Sequence, residues 1–428
     1  MNRSSTYPMI IIGILFFVFG FLTWLNGILI PYFKICLQLS NFQSLWVAFA
    51  AYIAYFVMAL PSAWILKFTG YRKGMVTGLC VMVIGALLFL PAAWTRTYGL
   101  FLTGLFVTGT GLALLQTAAN PYVAIIGPAE STAQRISFMG IANKTAGIMS
   151  QRILGAVFFF NADTIISSIS SAGEVQREQI LNAYAMRIVP PYVIIASVLL
   201  LLAVMIAFSK LPEVNEQSDE DLRMSAEDKT GVLQYPYLVF GVIALFVASG
   251  CEVIAIDGVI LYGKSLGIPL TQARHFTEYT LYASLISYAS GAVLIPRYLK
   301  QQHALMLCAV WGITMSIAAW FTDGWVSAFC VILTGLSTAL LWGTIWGLSV
   351  RQLGRYTKPG SALLIMAVSG GATIPLLFGR LIDLNPLRPQ HSVLLLLPCY
   401  AILFCFAAWG YRIHHWKELS FSRRLKTI

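Results

Sequence analysis

The amino-acid sequence predicts an all-α membrane protein, with twelve transmembrane helices in two related halves of six. Three observations carry this. Of 428 residues, 58% are hydrophobic and only 11% charged, with a mean hydropathy of +0.77, whereas a soluble domain carries roughly 25% charged residues. The apolar residues fall in runs of about 20, enough to cross a bilayer as a helix, because lipid gives backbone N–H and C=O groups no other partner. The most polar stretch of the chain, Lys210 to Lys229 (KLPEVNEQSDEDLRMSAEDK), reads as a solvated linker and divides the runs six and six.

Hydropathy and Gly/Pro punctuation place spans near 8–31, 41–66, 74–94, 98–126, 136–160, 189–209, 236–262, 277–296, 303–321, 325–349, 361–382 and 391–411. The expected organisation is an N-terminal half over 1–210, a linker over 211–234 and a C-terminal half over 235–428. The first run is long for a signal peptide and no small-residue cleavage site follows it, so it is expected to be retained. The loops on the side of the termini hold Arg72, Lys73, Lys210, Arg297, Lys300, Arg351, Arg355 and Lys358, and outnumber in Lys and Arg those on the other side, such as Arg96, Arg177, Lys264 and Arg274. Positive charge stays inside, so both termini are expected in the cytoplasm, in a bacterial inner membrane. Because the net charge of +11 sits in short loops between apolar runs, lipid and a small solute are the expected partners, not nucleic acid. The chain is expected to be a monomer. Its seven cysteines show no CxxC or Cys/His spacing and imply neither metal nor disulfide.

The halves echo each other at an offset of 224: Gly111-Leu112 with Gly335-Leu336, Ser137 with Ser361, Gly147 with Gly371 and Gly155 with Gly379. A parallel repeat of six-helix halves with a site between them near the midplane is a plan of secondary transporters. A membrane enzyme would need a nucleophile with a base or a metal cluster, and no histidine lies inside a central span: His275, His303 and His391 stand at span ends, His414 and His415 in the tail.

A polar solute needs carboxamides and hydroxyls for its OH groups and a flat aromatic face for its C–H edges. Asn26 lies in a run, Trp24-Leu25-Asn26-Gly27, that ends at Pro31, in a helix expected to kink or thin near its outer half, and a polar residue beside such a break suits a gate or a site. Gln116 and Asn120 are one turn apart on one face of the fourth span; Asn120, before Pro121, serves equally well to satisfy freed carbonyls. Asn143 adjoins Lys144. An ammonium at the bilayer centre costs about 2.5 to 3.5 kcal/mol, so Lys144 is expected to face a cavity or partner. Arg152 lies near the outer interface, where snorkelling accounts for it. Glu252 and Asp257, five residues apart in the seventh span, lie on different faces; Glu252 suits pairing with Lys144 or Arg152, or a cation, and Asp257 an outer cap. Trp24, Trp342 and Trp346 offer stacking faces or simple packing bulk.

Four segments, Gly20 to Tyr32 (GFLTWLNGILIPY), Gln116 to Glu130 (QTAANPYVAIIGPAE), Arg135 to Gly147 (RISFMGIANKTAG) and Gly354 to Asp383 (GRYTKPGSALLIMAVSGGATIPLLFGRLID), resemble the fucose-galactose-glucose symporter family of the major facilitator superfamily. The WLNG and RIS-MG--NK-AG forms look like its glucose/galactose branch. The resemblance implies a hexose importer with a sugar site near Asn143 and Gln116. Together with the polar groups above, the expected site is Asn26, Gln116, Asn120, Asn143 and Trp346, worked by alternating access, and the titratable groups left inside the spans, Lys144, Glu252 and Asp257, are expected in coupling or gating. The fucose branch carries acids where this chain has Gly27 and Gln116, neither of which can titrate. Na+ is therefore expected over H+ as coupling ion, without a further cofactor. Fucose or an N-acetylhexosamine as cargo, and an exporter of the same fold, are the alternatives.

Overall fold

The structure is a computed structural model that describes residues 3–125, 132–209, 231–295, 298–350, 353 and 356–416; residues 211–230 of the expected linker and the side chain of Asn120 lie outside the described residues. Among the described residues, eleven segments are long and apolar enough to cross a membrane: Met9–Cys36, Asn41–Ser62, Trp64–Thr95, Tyr98–Ala119, Phe138–Ser171, Glu174–Ala207, Pro236–Ile256, Gln301–Phe321, Gly324–Ser349, Pro359–Leu384 and Pro389–Arg412. The twelfth span is the helix Phe276–Leu294, 19 residues or about 28 Å long. It is the eighth in chain order, and the spans are numbered 1 to 12 accordingly. Hydropathy marks span 8 weakly because it buries Thr277, Glu278, Thr280, Ser284 and Ser287. Such a helix needs protein around it, and it packs on spans 5 and 10. Spans 2 and 3 are joined in one helical run, Trp46–Leu87, broken at Gly70, where φ of +73° suits only a residue without Cβ.

Within each half, the first and fifth spans touch backbone to backbone. A Cβ on Gly20 would lie 1.9 Å from the Asn143 carbonyl oxygen, and one on Gly370 would lie 1.8 Å from that of Phe246. Between the halves, span 5 packs on span 8 and span 11 on span 2, pairs that exchange when one half is laid over the other.

Both leading spans are discontinuous. Span 1 consists of the helices Arg3–Thr23 and Asn26–Cys36, so the break falls at Trp24–Leu25, beside Asn26 in the part of the helix where a kink is expected, while Pro31 is accommodated within the second helix. Span 7 ends at Ile256, and a short helix, Val259–Ser265, resumes after Asp257 and Gly258. A break inside a membrane frees backbone carbonyls, which need new donors. The Gln151 amide donates to the Trp24 carbonyl and the Thr277 hydroxyl to that of Ile256, at 2.6 Å. The two breaks meet: a Cβ on Gly27 would lie 2.9 Å from Thr277 Oγ1 and 3.2 Å from the Ile256 carbonyl. Glycine at position 27 is what lets the broken helices of opposite halves cross this closely.

Candidate functional site

Two contact groups bridge the halves at these breaks. In the first, the Lys144 ammonium lies 2.9 Å from Glu252 Oε1 and 3.6 Å from the ring centroid of Trp24. Trp24 Nε1 donates to Asn143 Oδ1 at 2.9 Å, and Asn143 Nδ2 donates to the Phe16 carbonyl at 3.4 Å. The Lys144 side chain is only 3% exposed. The charge that the sequence places at midplane is therefore held by a carboxylate from the opposite half and by an aromatic face.

In the second group, the Tyr52 hydroxyl donates to Asp257 Oδ2 at 3.3 Å, the Tyr52 ring lies near-parallel to that of Tyr55 at 6.3 Å, and Gln116 Nε2 donates to the Tyr55 hydroxyl at 3.0 Å. Tyr52 also lies against Gly371 of span 11, where a Cβ would meet its ring at 3.2 Å. Asn26 is buried and borders, with Thr23, Tyr52, Tyr55 and Thr108, a cavity of about 40 Å³ inside the N-terminal half, room for water rather than sugar. Trp346 stacks on Trp342, with centroids 5.0 Å apart and planes at 23°, so in this conformation each takes one face of the other.

The structure thus joins Asn143, Lys144 and Glu252, and separately joins Asp257 and Gln116 through two tyrosines that sequence reasoning missed. Tyr52 and Tyr55 are three apart in an apolar run, a spacing that suits a lipid-facing aromatic pair equally well. Glu278 was also missed. Arg152 Nε reaches its Oε1 at 2.5 Å, and His275 Nδ1 stands 3.4 Å from its other oxygen. Arg152 therefore ties span 5 to span 8 rather than only snorkelling. A cleft of about 350 Å³ lies around this pair.

Farther toward the end opposite the termini, two aspartates latch the halves in mirrored fashion. Asp383, at the end of span 11, accepts the backbone N–H groups of Asn41 and Phe42 at 3.1 and 2.8 Å, where span 2 starts. Asp163, in span 5, accepts those of Leu270 and Thr271 at 3.2 and 3.1 Å, where the helix Leu270–Ala273 starts. Each carboxylate meets the positive end of a helix on the opposite half. The hydrogen bonds and ion pairs described between the halves all lie at midplane or toward this end. The conformation is closed there.

Breaking the latches is expected to open that end. In a background free of the seven native cysteines, the reporter is a cysteine at Gly155, which is buried at the wall of the cleft around the Arg152–Glu278 pair and leaves 3.5 Å of clearance to Ile28. With Asp163→Ala and Asp383→Ala combined, and a cap of this type contributing about 1 kcal/mol, labelling by an impermeant maleimide should accelerate roughly tenfold or more. An unchanged rate would show that the latches do not hold the closed state.

A model of the Major Facilitator Superfamily matches residues 12–374. The glucose/galactose transporter of Brucella abortus biovar 1 (strain 9-941) is 32% identical over 412 residues, which cover 96% of this chain and 95% of that protein. The L-fucose-proton symporter of Escherichia coli (strain K12) is 28% identical over 419 residues, 95% and 93% of the two chains. Among solved structures, the major facilitator transporter FucP in its outward conformation superposes with a TM-score of 0.70 at 26% identity, covering 95% of this chain and 99% of that one. A bacterial homologue of the lysosomal transporter Spinster, inward-facing, shares the fold at 13% identity and a TM-score of 0.65. The twelve spans in two halves, the broken leading helices and these matches agree: this chain is a multi-pass membrane transporter, not an enzyme, and belongs to the major facilitator superfamily, in the family of the glucose/galactose transporters and L-fucose-proton symporters.

Proposed function

We propose that the protein imports a hexose of the glucose/galactose type by alternating access, driven by a coupled cation. The observation that carries the reading is the midplane meeting of two broken helices from opposite halves, flanked by Asn143, Gln116, Tyr52, Tyr55 and Trp24, the carboxamide, hydroxyl and aromatic groups a sugar requires. The names of the relatives point to the same cargo class, and the fucose symporters among them make fucose the second reading. Asn143, Gln116 and Asn26 would hold sugar hydroxyls, with Asn120 and Trp346 completing the site on the span 4 and span 10 side. Trp24 offers its ring only once Lys144 withdraws, so substrate and ion pair compete for the same aromatic face.

Lys144 and Glu252 fasten the halves in the state described here, and the outer latches add to that. Rocking the halves, 1–210 and 235–428, on the linker 211–234 exposes the site to one side at a time. The basic loops beside the termini support a reading with both termini on the cytoplasmic side of a bacterial inner membrane, and the carrier is read as a monomer. One cation entering down a potential of about 100 mV releases about 2.3 kcal/mol, enough for roughly 50-fold accumulation of a neutral sugar.

The test is uptake of radiolabelled glucose, galactose and fucose by proteoliposomes containing the full chain, with cation gradients imposed. Accumulation of glucose or galactose above the outside concentration is expected. Fucose alone being carried would move the reading to its second form, and export against an outward gradient would overturn import.

A further inference from the structure

Asp257 is a carboxylate that the sugar contacts leave unused. It stands at the break of span 7, fully buried. Oδ2 faces the Tyr52 hydroxyl, while Oδ1 is buried without a hydrogen-bond partner. The titratable and charged groups facing it are Tyr52 from span 2, Glu252 from its own span and Lys144 from span 5; the backbone amide of Gly27 lies beside it from span 1. The ammonium among these groups is already bound to Glu252. An ionised Asp257 would leave this buried set one negative charge in excess, which a membrane interior strongly disfavours. A proton on Asp257 removes the excess and turns an acceptor-only group into one that also donates.

Its position gives that proton a consequence. Tyr52 and Gly27 belong to the N-terminal half and Asp257 to the C-terminal half, so their contact forms as the outer end shuts. Na+ finds a poor cage here: Glu252, whose oxygens it would use, is held by Lys144, and Asp257 faces a hydroxyl rather than a ring of carbonyls.

We propose that Asp257 is the site at which this chain binds its coupling ion and that the ion is a proton. Asp257 takes one proton from the outer solution while the halves are parted there. Closure against Tyr52 and Gly27 requires the neutral acid, and the proton leaves to the inner solution once that side opens. The absence of an acid at Gly27 is then no obstacle to proton coupling, because the opposite half delivers a carboxylate to the same crossing. This inference rests on the reading of the chain as an ion-coupled hexose carrier.

The test uses the full chain in liposomes and two readouts, hexose counterflow, which needs no ion gradient, and accumulation driven by an acid-outside pH gradient or by inward Na+. Asp257→Asn should still exchange hexose but lose pH-driven accumulation, falling from up to about tenfold per unit of pH gradient toward equality with the outside; Asp257→Glu should restore part of it. Infrared spectra of the purified wild-type protein should show a protonated carboxylic-acid band at neutral pH that Asp257→Asn lacks. Accumulation by Asp257→Asn equal to wild type, or driven by Na+ and indifferent to pH in the wild type, overturns the proposal. If the wild type exchanges no hexose, the cargo reading fails instead, and the infrared band decides on Asp257: its absence from the wild type overturns the site.

Discussion

Lys144→Ala is expected to abolish hexose accumulation and to destabilise the protein, because it strands Glu252 at the midplane. Removing one partner of a buried ion pair costs about 3–5 kcal/mol, most of it the penalty of the charge left behind. The Glu252 side chain is 22% exposed, so the lower end of that range applies. The loss should appear as a lower unfolding temperature in detergent and as uptake reduced by at least about tenfold. The double variant Lys144→Met with Glu252→Gln separates the two effects. It leaves no charge uncompensated and should recover most of the stability, since buried pairs are often replaceable by neutral groups of similar volume. Transport should stay lost, because the pair's other task is to break and reform as the halves part. A double variant that transports at the wild-type rate would remove Lys144 and Glu252 from the mechanism and leave them as structural glue.

How much of this was legible in the chain follows from the energies involved. A charge inside a membrane is too costly to be left unpartnered, so Lys144 announced itself, and Glu252 was the natural carboxylate to meet it. Span 8 is legible as a helix-length run from hydropathy and Gly/Pro punctuation taken together, and a helix forms there, although its polar face is what hydropathy penalises. Tyr52, Tyr55, Glu278 and Gln151 were not legible as functional, because nothing local distinguishes a tyrosine that bonds a buried carboxylate from one that faces lipid. The residues at which the leading helices break are not legible for a related reason, although a kink beside Asn26 is. Pro31 is the visible breaker, yet the chain opens where Gln151 and Thr277, from other spans, stand ready to bond the freed carbonyls. Where a membrane helix can break depends on which neighbour can satisfy it, and that is a property of the assembled bundle. Gly27 shows the same thing in reverse. In the sequence it is a missing acid, whereas in the fold it is the gap through which two broken helices touch.

The largest purely structural effect is expected at Gly20 and Gly370. Membrane helices gain nothing from burying apolar surface against each other rather than against lipid, so close backbone packing at small residues supplies much of their attachment. A methyl group on Gly20 would collide with the Asn143 carbonyl, and one on Gly370 with the Phe246 carbonyl. Both obstacles are backbone, so a rotamer change cannot relieve them, and each leading span must move off its partner. Overpacking of this kind costs about 1–3 kcal/mol or more, and the displaced leading spans carry Trp24 and Glu252, respectively, out of reach of Asn143 and Lys144. Gly20→Ala and Gly370→Ala should therefore each lower expression and the unfolding temperature and reduce uptake at least about tenfold. Gly13→Ala is the control on the same helix, for its Cβ would meet only Met139 Cε at 3.9 Å, and helix propensity favours alanine there by about 1 kcal/mol. Equal tolerance of alanine at all three positions would mean that the leading spans are not seated on spans 5 and 11 as described.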